Sequence, residues 1–188
     1  MEAYLAGQRI FGENKVQELV AKQPRLPADS EWHFIGHLQT NKVRYIASFI
    51  RLIHSIDSIS LLREVNREAQ KNNRVIDCLL QFYIATEETK FGLSLEESRT
   101  ILEDDSYKNM QNIRLAGVMG MSSFTEDEAL IRSEFKTLKS YYLLIKSLYF
   151  KHDDHFCELS MGMSGDYRIA IEEGSTMIRI GTTIFGNR

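Results

Sequence analysis

Two stretches near the C-terminus decide the fold of this chain: SMGMSGD at residues 160–166 and TMIRIGTTIFG at residues 176–186. Each begins as an apolar strand and continues into small or hydroxyl-bearing residues. Small residues let backbone N–H groups approach an anion, hydroxyls add donors, and a helix starting after Ser164 adds its positive dipole end. Two such turns favour a phosphate-binding cup, although two ordinary strand-to-helix turns would have the same composition.

The position of this cup favours a parallel barrel. In (β/α) barrels the phosphate site commonly lies on the loops after the last two strands. Upstream, apolar strand-like runs alternate with helical stretches, which indicates a parallel sheet with right-handed crossovers. The predicted strands are 9–13, 32–36, 52–57, 75–85, 115–121, 156–161 and 176–180.

Helix start signals support this alternation. The sequences SLEE at 94–97 and TEDE at 125–128 both fit the capping box, in which a hydroxyl and a carboxylate each satisfy an orphan backbone donor. A short helix is also expected at 41–48. The second capping box opens a long helix with one apolar stripe, which we expect to pack against the sheet. The stripe comprises Ile131, Phe135, Leu138, Tyr142 and Ile145.

The strand count suggests an incomplete barrel. Residues 1–8 resemble the end of a helix closed by Gly7, and an opening helix in a βα protein normally follows a strand. A complete barrel needs about 250 residues, and at least about 200, whereas this sequence has 188. The sequence therefore predicts one N-terminally truncated domain over 1–188, an α/β TIM-type (β/α)8 barrel with about seven strands, the first being missing.

An open, doubly wound sheet is the alternative fold. The barrel is favoured because small, polar or charged residues recur at the C-terminal ends of the predicted strands, which form the active-site face of such barrels. These residues are Glu13, Asn14, His37, Ser55, Asp57, Ser122, Ser164, Gly181 and Thr182.

Composition limits the partners. The net charge is −3 and the basic residues are not clustered, which argues against a nucleic-acid partner. No apolar run reaches membrane-spanning length, and the first residues lack the pattern of a signal peptide. Cys78 and Cys157 lie far apart and are expected to be buried free thiols. The sequence therefore predicts a cytoplasmic protein with no membrane association.

A series of short motifs occurs in order along nearly the whole chain. They are FGEN at 11–14 with VQEL at 16–19, WHFIGHLQ at 32–39 with NK at 41–42, HSID at 54–57, LAGVM at 115–119, MGMS at 161–164 and RIGT at 179–182. In these motifs the chain resembles the pyridoxal-phosphate homeostasis proteins. Members of that family bind pyridoxal 5′-phosphate (PLP) and resemble the N-terminal barrel of alanine racemase.

The resemblance implies a set of cofactor-binding residues. Ser164, which follows Met163 in the MGMS motif, would donate its hydroxyl to the cofactor phosphate. Gly181 and Thr182 would contribute backbone and hydroxyl donors to the same phosphate. Arg179 would face the pyridine nitrogen, and strand alternation places it on the same face as Gly181.

The resemblance also places Asn14 and His37 beside the cofactor ring. A guanidinium only donates hydrogen bonds, so a pyridine nitrogen that faces Arg179 stays unprotonated and its ring is a weaker electron sink. The alternative for Arg179 is a structural role, closing a barrel layer through ion pairs. Asp57 is equally placed to act as a general base or to cap the next helix. His33 is expected in or beside the barrel wall.

A lysine on the first barrel strand holds PLP as a Schiff base in this family. No such strand or lysine precedes the first helix of this sequence, so we expect covalent attachment of PLP to be lost. Lys15, Lys42 and Lys90 follow predicted strands, but solvated or ion-paired side chains are the commoner state at such positions. No residue is assigned as catalytic and none as a metal ligand.

Three classes of function remain open. The favoured one is a protein that stores, delivers or buffers PLP, as a monomer or weak homodimer that can pass the cofactor to PLP-dependent apoenzymes. The second is a PLP-dependent racemase, which is disfavoured because the lysine and the second domain of alanine racemase are missing. The third is an unrelated barrel enzyme that acts on a phosphorylated metabolite.

Overall fold

The computed structural model describes residues 1–85 and 91–186, in which strands and helices alternate. The strands are β1 (Ile10–Glu13), β2 (Glu31–Phe34), β3 (Leu52–Ile56), β4 (Ile76–Tyr83), β5 (Ile113–Met121), β6 (Glu158–Met163) and β7 (Met177–Arg179). The helices are α1 (Glu2–Leu5), α2 (Val16–Lys22), α3 (Ile59–Lys71), α4 (Leu95–Glu103), α5 (Asp105–Lys108), α6 (Glu128–Tyr149), α7 (Tyr167–Glu172) and α8 (Thr182–Phe185). Two 3₁₀ segments lie at Gln23–Arg25 and Thr40–Tyr45.

The strands form one parallel sheet in which each strand pairs with its neighbour in sequence. The order is β1-β2-β3-β4-β5-β6-β7, and every pairing is parallel. A doubly wound sheet would reverse its order at a switch point, and this sheet does not. The predicted α/β barrel with about seven strands is therefore confirmed.

Contacts across the interior show that the sheet curls. His54 on β3 and Ser160 on β6 are three strands apart, yet His54 Nδ1 lies 3.0 Å from Ser160 Oγ. In a flat sheet with strands about 4.8 Å apart, the same separation would be roughly 14 Å. The curl leaves β1 and β7 as the two ends of the described sheet, with no pairing between them among residues 1–85 and 91–186.

Alternation along the strands divides the apolar residues into two layers. The larger layer lies between sheet and helices, and it includes Ile53, Leu80 and Val118. The smaller lies inside the barrel and joins Leu52 on β3 to Met119 on β5. The apolar stripe of α6 belongs to the outer layer as predicted, with Tyr142 partly buried at its edge.

Two helical segments differ from the sequence-based prediction, one in its capping residue and one in its type. Asp127, not Thr125, caps α6, and its carboxylate accepts hydrogen bonds from the backbone N–H groups of Ala129 and Leu130. The predicted helix at 41–48 is the 3₁₀ segment Thr40–Tyr45. The capping box at Ser94 is confirmed. A carboxylate can cap as well as a hydroxyl, so TEDE did not by itself fix the start of α6.

The two cysteines lie in different environments. Cys78 is buried on β4, as predicted, but Cys157 is exposed just before β6, so the expectation of burial was wrong for that residue. Both thiols are free. Near the start of the chain, α1 is followed by Gly7 at φ 100°, which agrees with the predicted glycine after the helix. No described helix is both long and apolar enough to cross a membrane.

Candidate functional site

Arg179 is the central cation of the site. It is the last residue of β7, where alternation turns its side chain into the barrel, and it is partly buried. Nη1 donates to Ser160 Oγ at 2.6 Å, and Nη2 donates to the carbonyl oxygen of Gly120 at 3.0 Å. Both acceptors are neutral, and Arg179 makes no ion pair within the described residues. Its charge is therefore not neutralised by a bonded carboxylate.

The electrostatics keep Arg179 protonated. Burial lowers the pKa of Arg179 to about 10, while the Asp166 carboxylate opposes the shift. The guanidinium is thus charged at neutral pH, and its N–H groups beyond the two bonded ones remain available to a ligand.

The predicted phosphate cup consists of the turns after β6 and β7. Ser164 Oγ accepts the backbone N–H of Gly181 at 3.3 Å and that of Thr183 at 3.4 Å. The sequence predicted that Gly181 and Thr182 lie near Ser164, and the structure does bring the two turns together. The backbone N–H of Thr183, which was not predicted, is an additional donor. A Cβ built on Gly181 meets nothing within 4 Å, so the space above the turn is open.

Asp166 holds the first of these turns in place. Its Oδ1 accepts the backbone N–H of Met163 at 2.5 Å, and its Oδ2 accepts the hydroxyl of Ser122 at 2.6 Å. Because Ser122 follows β5, this buried carboxylate ties the ends of β5 and β6 together. Sequence reasoning noted Ser122 at a strand end but did not assign Asp166 a role.

Two histidines lie beneath Arg179 inside the barrel. His54 Nδ1 is 3.0 Å from Ser160 Oγ, and its Nε2 is 3.2 Å from His33 Nδ1. Burial lowers the pKa of His33 to about 4 and that of His54 well below its ordinary value, and in both cases a nearby cation adds to the shift. Sequence reasoning placed His33 at the wall and left His54 and Ser160 without a role. The signal that could have identified His54 and Ser160 is that each is a polar residue at an inward-facing position of an otherwise apolar strand.

The segments after β1, β2 and β3 carry a second group of predicted residues. His37 Nδ1 lies 3.2 Å from Asp57 Oδ2, and the His37 ring stacks on Phe91 with centroids 4.1 Å apart. Ser58, not Asp57, caps α3. Asn14 is exposed after β1, and its backbone lies where a Cβ on Gly36 would overlap it. The ends of β1 and β2 are therefore packed closely.

Comparison with known proteins agrees with this architecture. The profile described as "Alanine racemase, N-terminal domain" matches residues 1–188. The pyridoxal phosphate homeostasis protein of Aquifex aeolicus is 40% identical over 188 residues, which is 100% of this chain and 80% of that protein. This chain belongs to the pyridoxal phosphate homeostasis protein family. The human protein of that name is 38% identical, over 100% of this chain and 71% of its own length.

Two solved structures are similar to the chain in fold. PipY of Synechococcus elongatus, in a structure with PLP bound, is 34% identical with a TM-score of 0.86, covering 98% of this chain and 85% of PipY. An alanine racemase from Bartonella henselae is 17% identical with a TM-score of 0.73, over 98% of this chain and 50% of the enzyme. At that identity, the second likeness shows the fold alone.

Two of the three lysines considered as anchors, Lys15 and Lys42, belong to the described residues. Lys15 is exposed, with Nζ 3.5 Å from Glu18 Oε1. Lys42 Nζ lies 5.7 Å from the ring centroid of Tyr45. Lys90 falls outside the described residues. Within the described part of the chain, no group of three or more His, Cys, Asp or Glu residues could hold a metal ion.

Proposed function

We propose that this chain binds PLP at the C-terminal mouth of its barrel and serves in storing, delivering or buffering that cofactor. The names of its relatives support the role, as does the PLP-bound structure of PipY. The observation that carries the proposal is Arg179, which has no carboxylate partner among residues 1–85 and 91–186. It lies two residues before Gly181, whose backbone N–H group donates to Ser164.

The donors present fit the cofactor. A phosphate monoester needs several convergent N–H or O–H groups, and Gly181 and Thr183 already direct their backbone N–H groups at one oxygen, that of Ser164. In the proposed complex the Ser164 hydroxyl and these N–H groups, with Thr182, bind the phosphate. The open space above Gly181 admits it.

Arg179 would set the state of the ring. Bound PLP supplies an aldehyde and a pyridine ring that can act as an electron sink. Because Arg179 stays protonated and only donates, it holds the ring nitrogen in the unprotonated form. That form is the weaker electron sink, which favours binding of the cofactor over catalysis with it.

The remaining predicted residues would border the cofactor. Met163, which ends β6, is 38% exposed and adjoins Ser164. Asn14 follows β1, and His37 follows β2, so both belong to the C-terminal face of the sheet. We assign these three side chains to the wall of the proposed site and no chemical step to any of them.

Cofactor retention in this chain would be non-covalent. Lys15 and Lys42 lie beside Glu18 and Tyr45, surroundings that neither desolvate an amine nor aim it into the barrel. The chain would act in the cytoplasm as a monomer or weak homodimer, without nucleic acid or membrane, and pass PLP to PLP-dependent apoenzymes.

Titration of the purified chain with PLP, followed by absorbance, tests the binding. Ser164→Ala removes one phosphate donor and should weaken binding by about tenfold, the equivalent of one hydrogen bond to a charged group. Inorganic phosphate should compete with PLP. Ser147→Ala is the matched control, because Ser147 lies near the C-terminal end of α6 and outside the proposed site. This variant should bind PLP like the unaltered chain.

Borohydride reduction and peptide mass spectrometry test the mode of binding. Bound PLP that leaves no adduct on any lysine agrees with the proposal, whereas an adduct on Lys15, Lys42, Lys90 or any other lysine contradicts non-covalent retention. An assay of alanine racemisation should give no turnover. Measured turnover would favour the racemase class instead.

A further inference from the structure

Four polar side chains form a continuous line across the inside of the barrel. Arg179 Nη1 donates to Ser160 Oγ at 2.6 Å, Ser160 Oγ is 3.0 Å from His54 Nδ1, and His54 Nε2 is 3.2 Å from His33 Nδ1. The four residues come from β7, β6, β3 and β2. Ser160, His54 and His33 are all buried. We call these four residues the interior relay.

The relay contains only one charge. His54 faces Arg179 and His33, while His33 faces Arg51 and Asp77, and burial is the main reason that both imidazoles stay neutral at neutral pH. A neutral imidazole has one donor nitrogen and one acceptor nitrogen. Each histidine can therefore accept one hydrogen bond and pass one on.

The hydrogen bonds can be satisfied in only one direction. Arg179 is purely a donor, so Ser160 Oγ accepts there, and its own proton can then go to His54 Nδ1. That leaves the proton of His54 on Nε2, which donates to His33 Nδ1. The reverse direction would leave the buried Ser160 hydroxyl without an acceptor in the described structure, which costs free energy.

We propose that Ser160 and His54 are positioning residues that hold the Arg179 guanidinium in the orientation needed for a pyridine ring nitrogen. Ser160 Oγ and the Gly120 carbonyl oxygen bond different nitrogens of one planar group, so together they fix its plane. His54 Nδ1 accepts a hydrogen bond from the Ser160 hydroxyl, which keeps a lone pair of Ser160 Oγ directed toward Arg179. This role rests on the proposed PLP site.

The neutrality of Ser160, His54 and His33 would also serve the ligand. A carboxylate in the place of Ser160 would neutralise the guanidinium and occupy its donors in a bidentate pair. A serine oxygen orients Arg179 without cancelling its charge. The positioning serine and the proposed phosphate-binding Ser164 lie four residues apart in the motif at the end of β6. One strand end would thus align both ends of the cofactor.

The test compares PLP with its 1-deaza analogue, in which a C–H group replaces the ring nitrogen. The unaltered chain should prefer PLP, and Ser160→Ala should reduce that preference by about tenfold, because the Arg179 contact is the one lost. His54→Phe, which removes both ring nitrogens, should reduce it in the same direction. Ser164→Ala should weaken both ligands equally.

Ser55→Ala is the matched control, because Ser55 is a buried strand serine whose hydroxyl has no hydrogen-bond partner within the described part of the chain. It should leave the preference unchanged. If the unaltered chain binds PLP and Ser160→Ala keeps the full preference, the positioning role is wrong. If the unaltered chain binds neither ligand, the proposed function is wrong and the role is overturned with it.

Histidine ¹⁵N chemical shifts test the relay without any ligand. His54 and His33 should both be neutral and protonated at Nε2, and Ser160→Ala should perturb the His54 nitrogens while Ser55→Ala does not. A His54 ring protonated at Nδ1 would contradict the direction of the relay and overturn the proposal.

Discussion

At the scale of single residues, burial decides which polar groups carry charge. Arg179 keeps its charge because a pKa of about 10 is still far above neutrality, whereas His33, with a pKa of about 4, does not. The same interior therefore holds a cation and a neutral imidazole along one line of hydrogen bonds. In the proposed site, this difference lets neutral groups orient Arg179 without cancelling its charge.

The stability of the chain should fall in mild acid because of His33. Its pKa is about 4 in the folded chain against an ordinary 6.5, so the unfolded chain takes up a proton first as the pH falls. The His33 contribution to the free energy of unfolding is fully present above pH 6.5. It is lost as the pH falls from 6.5 to 4, and the free energy of unfolding then decreases by about 3 kcal/mol. His54 acts in the same direction.

Urea unfolding at several pH values measures this effect. His33→Gln should flatten the dependence between pH 6.5 and 4, while His152→Gln, at an exposed position, should not. An equal slope for His33→Gln and the unaltered chain would show that His33 is not the group responsible.

At the scale of elements, the ends of β5 and β6 shape the site. Gly117 lies in β5 at φ 153°, and the register between β4 and β5 shifts beside it. A Cβ at this position would overlap the backbone carbonyl oxygen of Glu158 on β6. The close approach of β5 and β6 at Gly117 therefore requires a glycine here. Beyond the other ends of the same two strands, the Ser122 hydroxyl donates to Asp166.

Gly117→Ala should destabilise the chain severely. The new methyl group must displace the backbone of β6, and strain of this kind costs roughly 3 kcal/mol or more. Gly165→Ala is the control, because a Cβ there meets nothing within 4 Å. Thermal unfolding should show a large loss for the first variant and little change for the second. Equal melting temperatures would show that β5 and β6 can separate without cost.

At the scale of the whole molecule, the sheet is a barrel wall with two ends. β1 and β7 each pair on one side only in the described structure, and they have four and three residues. The central strands β4 and β5 are longer and almost entirely buried. Arg179 and the proposed phosphate donors therefore lie at an end of the sheet, where backbone groups are paired least.

Hydrogen exchange should reveal this difference in backbone pairing between the end strands and the central strands. Amides of β1 and β7 should exchange much faster than those of β4 and β5, because unpaired strand edges open without unfolding the core. Peptide-level mass spectrometry measures the rates, and PLP should slow exchange around 177–183 if it binds there. Uniform protection across the sheet would contradict an open end at these strands.

The candidate site was predictable where its residues are neighbours in sequence. Ser164, Gly181 and Thr182 stay predicted phosphate-binding residues, chosen because small and hydroxyl-bearing residues after a strand indicate an anion-binding turn. Their proximity in space followed from the barrel prediction. The role of Asp166 was not predictable, because a carboxylate at the start of a helix is usually a cap, and here it spans two strand ends instead.

The sequence by itself determined the alternation of strands and helices and the parallel barrel, and it supplied the two turns of the proposed phosphate cup, because these depend on local periodicity and turn chemistry. Only the tertiary structure decided the interior relay. His54 and Ser160 are 106 residues apart, and nothing local distinguishes them from other polar residues in apolar strands. The curl of the sheet brings them together, and burial then makes His54 neutral and couples it to Arg179.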